Sequence, residues 1–201
     1  MPRSVPSRQA LRDKLTQQRR ALGAAERIRA AQGVRHSLEQ LPEFLVDERI
    51  AGYWAFAGEL PLNLAMAPLA SRGQQFHLPI IGPHRQLTFA PWNAGDAITP
   101  NRYGIPEPSA QDAVLPAGLM DVVLVPLVGF DRRGNRLGFG GGYYDTSFAF
   151  LADETRPASP LLVGIGYAFQ EVPALVPESW DIRLDYIATE RELIDCNGKD
   201  A

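Results

Sequence analysis

Between Arg136 and Asp145 the chain reads RLGFGGGYYD, four glycines and two tyrosines bounded by a guanidinium and a carboxylate. Glycines let successive backbone N–H groups converge on one oxygen without Cβ clashes, which is how a loop cradles an anion. An arginine beside such a loop can grip phosphate with a bidentate fork. An aspartate there can hold Mg²⁺, whose oxygen-rich coordination suits nucleotide phosphates. The same residues also fit a plainer reading, a mobile turn or packing cluster with Asp145 as a favourable first-turn carboxylate. The stretch contains neither G-x-x-x-x-G-K-[ST] nor the dinucleotide fingerprint, which would need glycine at Tyr143.

Position favours the anion. The apolar run DVVLVPLV (121–128) precedes the loop and reads as a buried strand, while a helical pattern covers 143–154. The loop thus lies between a strand's carboxyl end and a helix's amino end, the edge at which open α/β sheets bind ligands. Further short β-rich runs lie at 49–56, 75–79, 86–91, 160–167 and 185–189, with helical material at 61–73. Strands alternating with helices predict an α/β fold, its largely parallel sheet covered by helices on both faces. The proline-rich 106–118 reads as a surface loop.

At the other end of the chain, residues 7–22 predict a helix capped by Ser7, followed by a second over roughly 24–40. At helical spacing Leu11, Leu15 and Leu22 fall within about 40° of one another. Arg8, Arg12 and Arg19 form a stripe immediately beside them, flanking the buried face; a solvated basic face is the competing reading. Charge is divided along the chain, +7 over residues 1–35 and −10 over the remainder. The acidic body argues against a broad nucleic-acid surface.

Several chemistries are missing. His36, His77 and His84 show no metal spacing and read as structural, and there is no G-x-S-x-G nucleophile and no CxxC pair. The single cysteine, Cys196, excludes an internal disulfide and reads as an inert tail thiol. No apolar run is long enough for a signal peptide or membrane span, so the expected compartment is the cytoplasm. Chemistry without a protein nucleophile or transition metal suits phosphoryl transfer, where positioning and charge neutralisation do nearly everything.

The stretch PLVGFDRRGNRLGFGGGYYD strongly resembles the signature of the 5-formyltetrahydrofolate cyclo-ligases, also called 5,10-methenyltetrahydrofolate synthetases. SRQALR, YWAFAGELPL, HLPI, NRYGIPEP and WDIRLD resemble that family in order, from about Ser7 to Thr189. The resemblance implies one three-layer α/β sandwich with a largely parallel or mixed sheet. It implies an ATP- and Mg²⁺-dependent closure of 5-formyltetrahydrofolate to 5,10-methenyltetrahydrofolate, through an N5-iminium phosphate, with ADP and phosphate released. Small molecules are then the partners, with no nucleic acid and no membrane, and the enzyme is expected to be a monomer.

Carried over by position, Arg8 and Arg12 match the basic pair for ATP phosphates. The ATP loop is matched by Arg136, Leu137, Gly138, Phe139, Gly140, Gly141, Gly142, Tyr143 and Tyr144. Asp145 and Asp181 match the metal carboxylates. Trp54 and Glu59 match folate contacts, a ring to stack on the pterin and a carboxylate to accept from it. Residues 139–143 match positions beside the substrate, and Arg136, Tyr143 and Asp145 the catalytic set. Phe139, Gly141 and Thr146 depart from side chains common in relatives, Thr146 standing where many have arginine. Two rival readings remain at this point: a non-catalytic folate- or nucleotide-binding paralogue, and a sugar-phosphate isomerase of similar architecture, which would need no ATP. The segment after Glu190 is expected to be a disordered tail.

Overall fold

The computed structural model describes residues 7–198. Helix α1 (Arg8–Ala21) starts where expected: Ser7 accepts from the Ala10 N–H at 3.2 Å, and Arg19 and Arg20 complement its carboxyl end. Helix α2 (Ala24–Leu38) starts at Gly23, whose N–H donates to the Glu26 carboxylate at 2.8 Å. Short helices α3 (Pro42–Val46), α4 (Asn63–Met66) and α5 (Tyr143–Ser147) follow.

In chain order the strands are β1 (Arg49–Ala51), β2 (Gln75–Ile81), β3 (Leu87–Pro91), β4 (Ile98–Pro100), β5 (Pro106–Pro108), β6 (Leu115–Pro116), β7 (Val122–Pro126), β8 (Gly129–Phe130), β9 (Arg136–Leu137), β10 (Leu161–Ile165), β11 (Tyr186–Ala188) and β12 (Leu193–Asp195). Eight of them form one sheet, ordered β12-β11-β10-β7-β1-β2-β3-β6. Its five central strands run parallel, and β3, β6 and β12 join antiparallel at the edges. The sheet is mixed.

Side chains alternate across a strand, and β7 shows the consequence. Val122 and Leu124 enter a core layer with Val34 and Leu38 of α2, Phe44 of α3 and Ala65 of α4. Val123 and Val125 enter the opposite layer with Phe89, Phe130, Phe148 and Leu151. Both faces of the central strands are therefore dry, which explains the continuous apolar run at 121–128.

Several sequence expectations need correction. The strand expected over 49–56 stops at Ala51: a Cβ on Gly52 would strike the Phe76 ring, and Tyr53 instead turns its hydroxyl onto Leu60 O at 2.7 Å. The segments at 61–73 and 143–154 are short helical turns, not continuous helices. Part of the supposed surface loop at 106–118 is paired, β5 with β4 and β6 with β3. The expected tail also has structure: β12 pairs with β11, and Cys196 is fully buried. Burial pushes its thiol up to about 12, so it stays protonated and inert, as read.

Helix α2 meets the far end of the chain closely. Ser37 donates to Thr189 O at 2.8 Å, and a methyl on Gly33 would lie inside contact distance of the Glu190 backbone. Alanine stabilises an exposed helix interior by about 1 kcal/mol relative to glycine. Here the backbone collision dominates, and Gly33→Ala is expected to destabilise by about 1–3 kcal/mol, read as a lower urea midpoint. An unchanged or raised midpoint would show that the contact yields freely.

Candidate active site

The glycine loop is launched by a hairpin. β8 and β9 pair antiparallel around Asp131, whose buried carboxylate accepts from the N–H groups of Arg133, Asn135 and Leu175 and from the Asn135 amide. With its base fixed, residues 138–142 cross the carboxyl edge of the sheet. Gly140 and Gly142 sit at φ +97° and +69°, a region costly for side chains. Among the described residues, none accepts a hydrogen bond from the N–H groups of residues 138–142. Helix α5 behind them has only five residues, so these N–H groups carry the anion argument more than its dipole does.

Residues 138–142 line a cavity of about 750 Å³ beside Pro126 at the end of β7 and Tyr53 and Trp54 just past β1. That is the ligand edge expected from sequence. The cavity is lined by Arg8, Arg12, Trp54, Glu59, Arg136, Gly138 through Asp145, and Asp181. One expected residue stays outside it: Leu137 is fully buried, its carbonyl accepting from Val128 N, so it anchors the loop and does not line the cavity.

The charged side chains that line the cavity are held by specific contacts. Arg8 forks onto Asp181 with both contacts at 3.0 Å and also reaches Val176 O; Arg12 Nε donates to Gly138 O at 2.9 Å. Helix α1 thus docks with its arginine stripe turned inward, as its place beside the leucines implied. Arg136 was read as a phosphate fork. In the structure its nearly buried guanidinium donates to Ile182 O and Asp145, so it holds the carboxylate in place.

Asp145 also accepts from Ile182 N at 3.1 Å, and Asp181 from Glu178 N at 3.0 Å. All protein bonds to Asp145 fall on Oδ1 and all those to Asp181 on Oδ2, leaving each with one oxygen free of protein partners among the described residues. No group of three or more potential ligands gathers among those residues. Mg²⁺ needs no such cage: it commonly takes one or two carboxylates plus substrate phosphates. The two aspartates fit that requirement.

A second set of lining residues is aromatic and contains a buried acid. Trp54 packs edge-on to Trp92, with ring centroids 5.5 Å apart. Glu59 is 8% exposed, and its Oε2 accepts from Phe56 N at 2.8 Å. Burial pushes its carboxyl up to about 7, against the lowering effects of the Phe56 N–H and Arg19. Phe139 and Tyr143 also line the cavity. Tyr143 meets Tyr103 at 2.8 Å and Arg102 at 2.7 Å, contacts that lower its hydroxyl below the usual tyrosine range. The β4–β5 hairpin therefore clasps the glycine loop, a contact signalled in sequence only by NRYGIPEP. Buried Arg19 was also missed, although it shares the stripe of Arg8 and Arg12.

The profile of the 5-formyltetrahydrofolate cyclo-ligase family matches residues 4–190. The chain belongs to the 5-formyltetrahydrofolate cyclo-ligase family. That membership makes it an enzyme, a ligase of folate one-carbon metabolism. It is 32% identical to the 5-formyltetrahydrofolate cyclo-ligase of Haemophilus influenzae, over 90% of this chain and 96% of that one. The Escherichia coli K12 enzyme of the same name is 31% identical over 87% and 96%. An Aquifex aeolicus 5,10-methenyltetrahydrofolate synthetase structure superposes with a TM-score of 0.79 at 28% identity, covering 96% and 95% of the two chains. The synthetase structure from Mycoplasma pneumoniae, at 23% identity and TM-score 0.71, supports the fold.

Proposed function

We propose that this cyclo-ligase closes 5-formyltetrahydrofolate to 5,10-methenyltetrahydrofolate using MgATP, with ADP and phosphate as the other products. The observation that carries this reading is one cavity lined by two chemically different sets of groups. Trp54 and Glu59 suit a pterin, by stacking and by accepting from its amino and ring N–H groups. The free N–H groups of residues 138–142, together with Arg8 and Arg12, suit a polyphosphate.

In this reading the formyl oxygen attacks the γ-phosphorus and ADP departs, leaving an N5-iminium phosphate. The neighbouring N10 nitrogen then attacks the activated carbon, and loss of phosphate, which carries away the N10 proton, leaves the methenyl bridge. A formamide oxygen is a poor leaving group until phosphorylated, so the cavity needs no protein nucleophile. Its work is alignment and charge stabilisation. Asp145 and Asp181 would hold the metal, which neutralises phosphate charge when bound. Arg136 keeps Asp145 in position, and Phe139 and Tyr143 separate the two ligands. The reading includes small-molecule partners only and a monomeric cytoplasmic enzyme; among the described residues no helix is long and apolar enough to cross a membrane.

Absorbance of the methenyl chromophore tests this directly. Product is expected from 5-formyltetrahydrofolate only when ATP and Mg²⁺ are both supplied. Product formation without either would overturn the reading. The two sets can also be separated: Arg12→Ala is expected to raise the KM for ATP about tenfold while changing that for folate far less. An equal rise in both, or in neither, would remove Arg12 from the phosphate-binding set.

A further inference from the structure

We propose that Arg19 is a positioning residue that ties the turn carrying Glu59 to the aromatic wall of the glycine loop. It is 1% exposed, yet it forms no ion pair within 4.0 Å among the described residues. Its Nη1 donates to Leu127 O at 3.3 Å and its Nη2 to Ala57 O at 3.1 Å. Its Nε is buried without a partner, and its guanidinium lies over the Phe139 ring, 4.9 Å from the centroid. Desolvating a guanidinium and leaving one donor unmatched is costly, and an apolar side chain would fill this space at lower cost. The contacts it makes indicate what that cost supports.

Residues 56–59 form a tight turn. Glu59 N donates to Phe56 O at 3.0 Å, while the Glu59 carboxylate accepts from Phe56 N. Its middle is conformationally expensive, with Ala57 at φ +48° and Gly58 at φ +84°. Arg19 grips the carbonyl of Ala57, the strained non-glycine residue. Through the face of Phe139 it also touches the loop assigned above to ATP. Helix α1 thereby contacts two residues that line the cavity and the turn between two others: Arg8 at Asp181, Arg12 at Gly138, and Arg19 at Ala57 between Phe56 and Glu59.

The electrostatics agree. Arg19 favours the ionised Glu59 carboxylate. The other groups that interact with Glu59 are the phenols of Tyr53, Tyr144 and Tyr167, each pushed up chiefly by burial and neutral near pH 7. Arg27 of α2 approaches Gly58, but its Nη2 is used on the carbonyls of Arg19 and Arg20. Loss of the Arg19 charge should therefore raise the midpoint of Glu59.

The role rests on reading Glu59 as the pterin acceptor, but its first test needs no substrate. In protein labelled with carboxyl-¹³C glutamate, the Glu59 resonance is assigned by its absence in Glu59→Gln and titrated by NMR. Arg19→Met is expected to move the midpoint upward; Arg19→Lys, which keeps a charge, is expected to move it less. In turnover, Arg19→Lys should raise the KM for folate about 10- to 100-fold, because one ammonium cannot span two carbonyls and cover Phe139. Should Arg19→Met not fold, Arg19→Lys decides alone: an unchanged midpoint with unchanged KM overturns the proposal. An unmoved midpoint in a folded Arg19→Met does the same. A shifted midpoint in the variants, beside a wild-type protein that makes no methenyl product, would instead support Arg19 and sink the proposed reaction.

Discussion

Replacing Asp145 by asparagine is expected to cut ring-closing turnover about a thousandfold or more while leaving a folded chain. The size follows from losing two functions of one carboxylate. An amide cannot neutralise Arg136, which is 7% exposed and forks between Ile182 O and Asp145. It is also a weak ligand for Mg²⁺, and metal stabilisation of phosphoryl transfer is worth several kcal/mol, about tenfold in rate per 1.4 kcal/mol. Breaking the ion pair also costs stability, about 2–4 kcal/mol, because the arginine remains buried without its counter-charge. The two functions separate experimentally. Binding of Mn²⁺ in the presence of ATP, followed by electron paramagnetic resonance, should weaken in Asp145→Asn. In Arg136→Lys, where the carboxylate remains, it should weaken less. Equal Mn²⁺ binding in wild type and Asp145→Asn would leave Asp145 as a structural partner of Arg136 and remove its metal role.

How far such residues can be read from sequence depends on what fixes them. Ser7 and helix α1 follow from local capping and spacing, and the 121–128 run reports that both faces of β7 are dry. β4, β5, β6, β8, β9 and β12 are two or three residues long, and most carry proline or glycine, so no alternating pattern can develop in them. β12 was lost for a related reason. Leu193 and Ile194 stand among polar residues, and only pairing with β11 buries Ile194 and Cys196. Its stability lies in a tertiary contact.

The site divides along the same line. Free N–H groups at residues 138–142 follow from the glycines themselves. The meeting of Arg8 with Asp181 spans 173 positions, and only resemblance to a family pointed to that aspartate. Sequence shows that Arg136 can fork onto an anion, but not that its guanidinium also holds Ile182 O and Asp145. Arg19 was visible in the stripe, but arginine at a helix edge is ordinarily solvated. Its burial depends on Leu127, Ala57 and Phe139 arriving from three different segments.

Glu59→Gln should make the protein more stable above neutral pH and less active at the same time. Its folded carboxyl lies near 7, above the 4.5 of an unperturbed glutamate. Between those values the native state binds more protons than the unfolded chain, so stability falls as pH rises through that window. Above pH 7 the full cost of the buried charge is present, on the order of 3 kcal/mol. Glutamine is isosteric and uncharged, and its carbonyl can still accept from Phe56 N. Arg19 returns part of the gain, since its nearest counter-charge is lost. The net stabilisation expected at pH 8 is about 1–2 kcal/mol, vanishing near pH 4.5. Activity goes the other way. An ionised carboxylate accepts from two pterin donors, while the amide opposes one of them with its own N–H, lowering kcat/KM for folate about 10- to 100-fold. In wild type, kcat/KM should rise with pH through about 7 as Glu59 ionises. Urea unfolding at pH 5 and 8, run beside the turnover assay, reads both effects. A variant that loses activity but keeps the wild-type dependence of stability on pH would show that Glu59 does not carry the buried charge.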